Sequence, residues 1–191
     1  MNDVELGRAL VVLARNAIGA RFGIAAAGVL NHPALDRHGA TFVTLMQERE
    51  LRGCVGSLEP RRALSVDVGA NAVAAAFRDP RFPPLAAHEF LATAVEVSLL
   101  SPQMPMAFAD EGDLVRQLRP GVDGIVLQHE HHRATFLPQV WETLPEPRQF
   151  IAALKGKAGL REDFWAADVK VARYTVIKWK EVEFATESAR Q

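Results

Sequence analysis

Two pairs of short β-branched and aromatic runs, each joined by a brief polar stretch, constrain this chain more than any other feature. Residues 40–46 and 51–57 flank Gln47-Glu48-Arg49-Glu50, and residues 125–128 and 133–137 flank His129-Glu130-His131-His132. Strands joined so closely pair antiparallel, because parallel neighbours need a crossover of a dozen residues or more. Helical stretches fall between these pairs without a regular βαβ cadence. The pattern therefore predicts an α+β fold, with a mixed, mainly antiparallel sheet packed against helices.

The helices follow from periodicity and punctuation. Residues 3–21 place Leu6, Leu10, Leu13 and Ala17 at helical spacing, with Asn2 or Asp3 as cap and Gly23 as stop. Residues 63–77 carry Leu64, Val68, Ala72 and Ala76 on one stripe and so few charges that the helix should be packed on most sides. Asp79-Pro80-Arg81-Phe82-Pro83-Pro84 cannot extend that helix and must form a stiff turn. Further along, 93–100 reads as a strand, 113–118 as a short helix, and Phe150, Ile151 and Leu154 as a helix stopped at Gly156 or Gly159. Residues 169–179 read as one long strand, and 185–191 as a frayed tail.

The charge balance removes whole classes of function. A net charge of −1, with basic residues scattered and tryptophans isolated, gives nucleic acid no surface to bind. No apolar run reaches the roughly 18 residues needed to cross a bilayer. The chain opens Met1-Asn2-Asp3, with an acidic residue where a secretion signal would need basic ones. One cysteine, Cys54, permits no intrachain disulfide, so a reducing, cytoplasmic setting is expected.

The candidate functional segment is Leu51-Arg52-Gly53-Cys54-Val55-Gly56. In an unbroken strand Arg52, Cys54 and Gly56 share one side. Gly53 and Gly56 mark close approach by a backbone or a ligand. A guanidinium beside Cys54 would favour its thiolate and make it the candidate nucleophile. The competing reading buries the thiol as a small hydrophobe and pairs Arg52 with Asp67 or Glu59. Asp67 and Asn71, one helical turn apart, either present a carboxylate and an amide to a polar ligand or serve the helix end and a nearby backbone. Glu96 lies in an apolar strand, either at its solvent face or as partner to an arginine. Asp79 and Arg81 on the stiff turn can wall the same site. His129 and His131 would face one way in a strand, but they fall at an expected hairpin tip with no further ligand, so no metal site is assigned. No dinucleotide, P-loop or nucleophile-elbow motif occurs, and no cofactor is expected.

Several runs together resemble the AMMECR family, the A component of the AmmeMemoRadiSam set. They begin with Thr41-Phe42-Val43-Thr44-Leu45 and continue through Leu51-Arg52-Gly53-Cys54-Val55-Gly56-Ser57-Leu58-Glu59-Pro60. Ala75-Ala76-Phe77-Arg78-Asp79-Pro80-Arg81-Phe82-Pro83-Pro84-Leu85 and Glu96-Val97-Ser98-Leu99-Leu100-Ser101-Pro102 follow. Pro120-Gly121-Val122-Asp123-Gly124, Thr135-Phe136-Leu137-Pro138-Gln139-Val140-Trp141-Glu142 and Leu154-Lys155-Gly156-Lys157-Ala158-Gly159-Leu160 complete the series. Val55 stands where the family commonly has isoleucine, and none of the six histidines falls in a family motif.

The resemblance implies one domain over residues 1–184 with a smaller lobe in the middle of the chain, two lobes with a cleft between them, and no established reaction. It also implies the company of a Memo-like protein or a radical SAM enzyme. Two functions follow as expectations. One is a cleft for a small polar or anionic ligand around residues 51–56, with Arg52, Gly53, Gly56, Asp67 and Asn71 binding and Cys54 reacting. The other is a non-catalytic module that docks onto such a partner.

Overall fold

A computed structural model describes residues 3–26, 28 and 30–188. The chain divides into two compact units, Met1–Leu100 with Ile177–Gln191, and Ser101–Val176.

The first unit is a sheet covered on one face by two helices. Helix α1 (Val4–Gly19) starts where the Asp3 carboxylate accepts the Leu6 amide. It ends through a 3₁₀ turn, Ala20–Phe22, closed by Gly23 at φ 73°. Strand β1 (His38–Gln47) then turns into β2 (Glu50–Gly56). The turn is two residues, Glu48 and Arg49, both left-handed, the backbone twist that closes an antiparallel hairpin most tightly. A short β3 (Arg62–Ala63) leads into α2 (Leu64–Phe77). A 3₁₀ turn over Ala87–Ala92 precedes β4 (Ala94–Leu100).

The sheet order is β2-β1-β4-β9, with β3 beside β1 and β9 spanning Val176–Lys180. Alternation sends Val43, Leu45, Val95 and Val97 to the helix side, where they are fully buried with Leu10, Ala14, Val68 and Ala72. Each large aliphatic buried there contributes on the order of 1.5–3 kcal/mol. Phe42, Thr44, Glu96 and Ser98 take the other face. Trp179 of β9 lies over Gly7 of α1, where any side chain would strike the indole. Helix α5 (Glu181–Ser188) continues from β9, so the backbone stays helical through the first residues of the expected tail. Residues 189–191 lie outside the described ones.

The second unit has its own sheet, ordered β5-β8-β6-β7. Its strands are β5 (Met104–Pro105), β6 (Gly124–His129), β7 (His132–Phe136) and β8 (Lys170–Tyr174). Helices α3 (Glu111–Gln117) and α4 (Pro147–Lys157) supply Leu114, Phe150, Ile151 and Leu154 to a core with Ile125 and Leu127. Trp141 and Phe150 stack at 3.8 Å between ring centroids. The single strand expected over 169–179 is in fact two. β8 and β9 break at Thr175 and join different sheets, a division that unbroken β propensity could not reveal.

Candidate functional site

The geometry of residues 51–56 is set by one irregularity. Thr44 pairs with Cys54 and Leu45 with Gly53, but Met46 pairs with Leu51. Arg52 is thus the extra residue of a β-bulge, and the expectation that it shares a face with Cys54 is corrected. Its guanidinium grips Glu89 through both oxygens, at 2.9 and 3.0 Å, and donates to the Pro83 carbonyl. Neither Asp67 nor Glu59 is its partner. With Arg52 as the leading cause, and the Ala86 amide and Gln47 assisting, Glu89 is held down at about 2 against its desolvation. Asp67 and Glu59 pair instead with Arg62 and Arg61.

The guanidinium that reaches Cys54 belongs to Arg81. It donates to the Cys54 carbonyl at 3.4 Å and closes a fork on Asp79 at 2.7 and 3.0 Å. Asp79 is nearly fully buried and also accepts the Cys54 amide at 2.8 Å. Arg81, above all, holds the Asp79 carboxyl well below the usual carboxylate range, with the Cys54 amide adding to it against burial. The stiff turn after α2 therefore fixes a cation against the backbone of Cys54 while leaving that side chain half exposed. The Cys54 side chain is itself half-buried, and its sulfur accepts the Thr44 hydroxyl at 3.4 Å. Next along the same face, the Phe42 ring occupies the space where a side chain on Gly56 would be.

The remaining predicted residues have structural partners. A Cβ on Gly53 would sit 2.2 Å from the Ala75 carbonyl, so this glycine admits the backbone of α2 against β2. Asp67 is fully buried and accepts from the Thr41 amide and hydroxyl, Ser57, Arg62 and Asn71. Asn71 returns a bond to the Thr41 carbonyl. The pair thereby ties α2 to β1, and these bonds saturate the Asp67 carboxylate.

The histidine run does not form a chelating face. His129 packs on Phe164 with its Nε2 3.3 Å from Asp168, His132 bonds the Ala158 carbonyl, and His131 lies exposed in the turn. Among the described residues no group of three or more His, Cys, Asp or Glu side chains is arranged for a metal ion. Among them, too, no helix is long and apolar enough to cross a membrane.

The residues that sequence reasoning overlooked are Thr44, Phe42 and Glu89. Thr44 and Phe42 could be found by pairing the hairpin, but the tight turn alone would set Thr44 opposite Gly53. Only the bulge moves it to Cys54.

Residues 11–179 match the family model described as AMMECR1. The chain belongs to the AMMECR1 family. A protein of Sulfolobus acidocaldarius is 31% identical over 97% of this chain and 86% of its own length. A Methanocaldococcus jannaschii protein is 34% identical over 71% of this chain and 69% of its own length. Among solved structures, the uncharacterized protein PH0010 of Pyrococcus horikoshii matches with a TM-score of 0.79 and 32% identity, covering 93% of this chain and 92% of that one. This AMMECR1-family chain thus shares its α+β fold with that archaeal protein.

Proposed function

We propose that this AMMECR1-family protein binds a small polar or anionic molecule beside residues 51–56, and that the Cys54 sulfur is the atom that reacts with it. One observation carries the reading. Cys54 is half-buried with its sulfur held by the Thr44 hydroxyl, and its backbone carbonyl accepts from an arginine that a buried aspartate has already fixed in place. Arg81 arrives pre-organised, so its side chain gives up little entropy on meeting a bound anion. A one-thiol protein of this kind suits a reducing cytoplasm.

The test uses Cys54 as its own reporter, since it is the only cysteine. Wild-type protein is titrated with a panel of small carboxylates, phosphates and sulfonates while the rate of Cys54 alkylation by iodoacetamide is followed. At least one anion should slow alkylation and raise the melting temperature, and Arg81→Ala should lose both effects. A panel that never protects Cys54, or an Arg81→Ala protein that is protected as well as wild type, would remove the proposal. Cys54→Ser provides the control for labelling elsewhere.

A further inference from the structure

The register that sets Thr44 opposite Cys54 also sets Thr44 opposite Glu96 on its other side. Cys54, Thr44 and Glu96 therefore form one row across β2, β1 and β4, on the face away from the helices. Strands lie about 4.8 Å apart, so Glu96 starts about 10 Å from Cys54 along this row. The row extends to β9. Glu96, only 14% exposed, draws Lys178 to 3.4 Å and Lys180 to 4.0 Å. Ile177 and Trp179, the residues that alternate with these lysines, pack into the helix-side core.

An isolated ion pair on a polar sheet face contributes little and needs no function. This cluster differs in composition and position. One carboxylate holds two ammonium groups, and its strand neighbour is the threonine that holds the thiol. Arg81 and Asp79 neutralise one another, and Glu96 balances one lysine. At the far end of the row Lys178 and Lys180 share the one carboxylate of Glu96, while the Glu183 carboxylate there accepts the Lys180 amide at 3.3 Å.

Resting on the proposed Cys54 site, we infer that its ligand is an elongated organic monoanion lying across the strands. Its electrophilic carbon sits at the Cys54 sulfur and its acid group at Lys178 and Lys180. Glu96 is then a positioning residue that spreads the two lysines and takes any donor group midway along the ligand.

Two thiol probes test this without knowledge of the natural ligand: a maleimide with a carboxylate-terminated alkyl chain, and its neutral amide. In both, the Cys54 sulfur bonds one alkene carbon, the carbon–carbon double bond becomes single, and the neighbouring carbon takes a proton from water. Wild-type protein should react faster with the acid than with the amide by about threefold, the scale of one partly exposed charge pair. Lys178→Met combined with Lys180→Met should bring that ratio close to one, and Glu96→Gln should raise it, because the lysines are then unbalanced. Melting curves confirm that the variants are folded. A ratio that survives loss of both lysines but disappears in Arg81→Ala would overturn the far anchor and leave the Cys54 site standing. A wild-type thiol that reacts with neither probe would overturn both.

Discussion

Replacing Gly53 with alanine puts a methyl group where a helix backbone already is. The new carbon would lie 2.2 Å from the Ala75 carbonyl oxygen and 3.1 Å from its carbon, against 3.4 Å or more for ordinary contact. Relief requires β2 and α2 to separate by about 1 Å, in an interior that is close-packed. Because the obstacle is backbone, no side chain can rotate away. Overpacking of this kind costs about 3 kcal/mol. Alanine returns about 0.7 kcal/mol by restricting the unfolded chain. The net loss should be roughly 2 kcal/mol, or a fall of about 6 °C in Tm for a chain of this length. Urea unfolding followed by circular dichroism measures it directly. Gly156→Ala is the comparison, since nothing lies within 4 Å of its added carbon and its helical position should gain stability. A loss at Gly53 below about 0.5 kcal/mol would refute the claim that α2 needs a glycine there.

Arg52→Ala should cost about 2 kcal/mol, because Glu89 loses a two-point partner inside a largely buried pair. Arg52→Lys should recover less than half of that, since one ammonium cannot serve both Glu89 oxygens and the Pro83 carbonyl; a lysine variant as stable as wild type in urea would contradict the bulge geometry. Acid should weaken the fold. Glu89 is depressed from 4.5 to about 2, so its contribution is complete above the unfolded value and is lost as pH falls through about 2. Asp79, depressed in the same direction, adds to the loss. Urea midpoints measured between about pH 5 and pH 2 should fall steadily, and less so in Arg52→Ala; a flat profile would sink the linkage.

Much of the fold was legible because it depends on local rules. The hairpin loop within residues 47–50, the Asp3 cap, the Gly23 stop and the stripe of Leu64, Val68 and Ala72 all declare themselves within a few residues. The site was less legible because it depends on register. Strand alternation put Arg52 beside Cys54, and a one-residue bulge moved Arg52 to Glu89. The guanidinium that reaches Cys54, at its backbone carbonyl, is that of Arg81, which is far along the chain and arrives there only because the turn after α2 folds back. The Asp67–Asn71 pair illustrates a different limit. Its helical spacing was plain, but only tertiary contact shows that Thr41 and Ser57 already occupy it.

The strands β4 and β9 are neighbours in one sheet, yet the whole of the second unit is strung between them. The two ends of that insertion, Ser101 and Thr175, hydrogen-bond to each other twice. During synthesis the first unit must therefore wait, its sheet open along β4, until the inserted unit has left the ribosome and β9 follows. Exposed strand edges recruit other chains, so early docking of α1 and α2 gives that waiting intermediate only one protected face. Lys178 and Lys180 are among the last residues to arrive. A nascent chain would thus carry its thiol long before β9 brought Lys178 and Lys180 to Glu96.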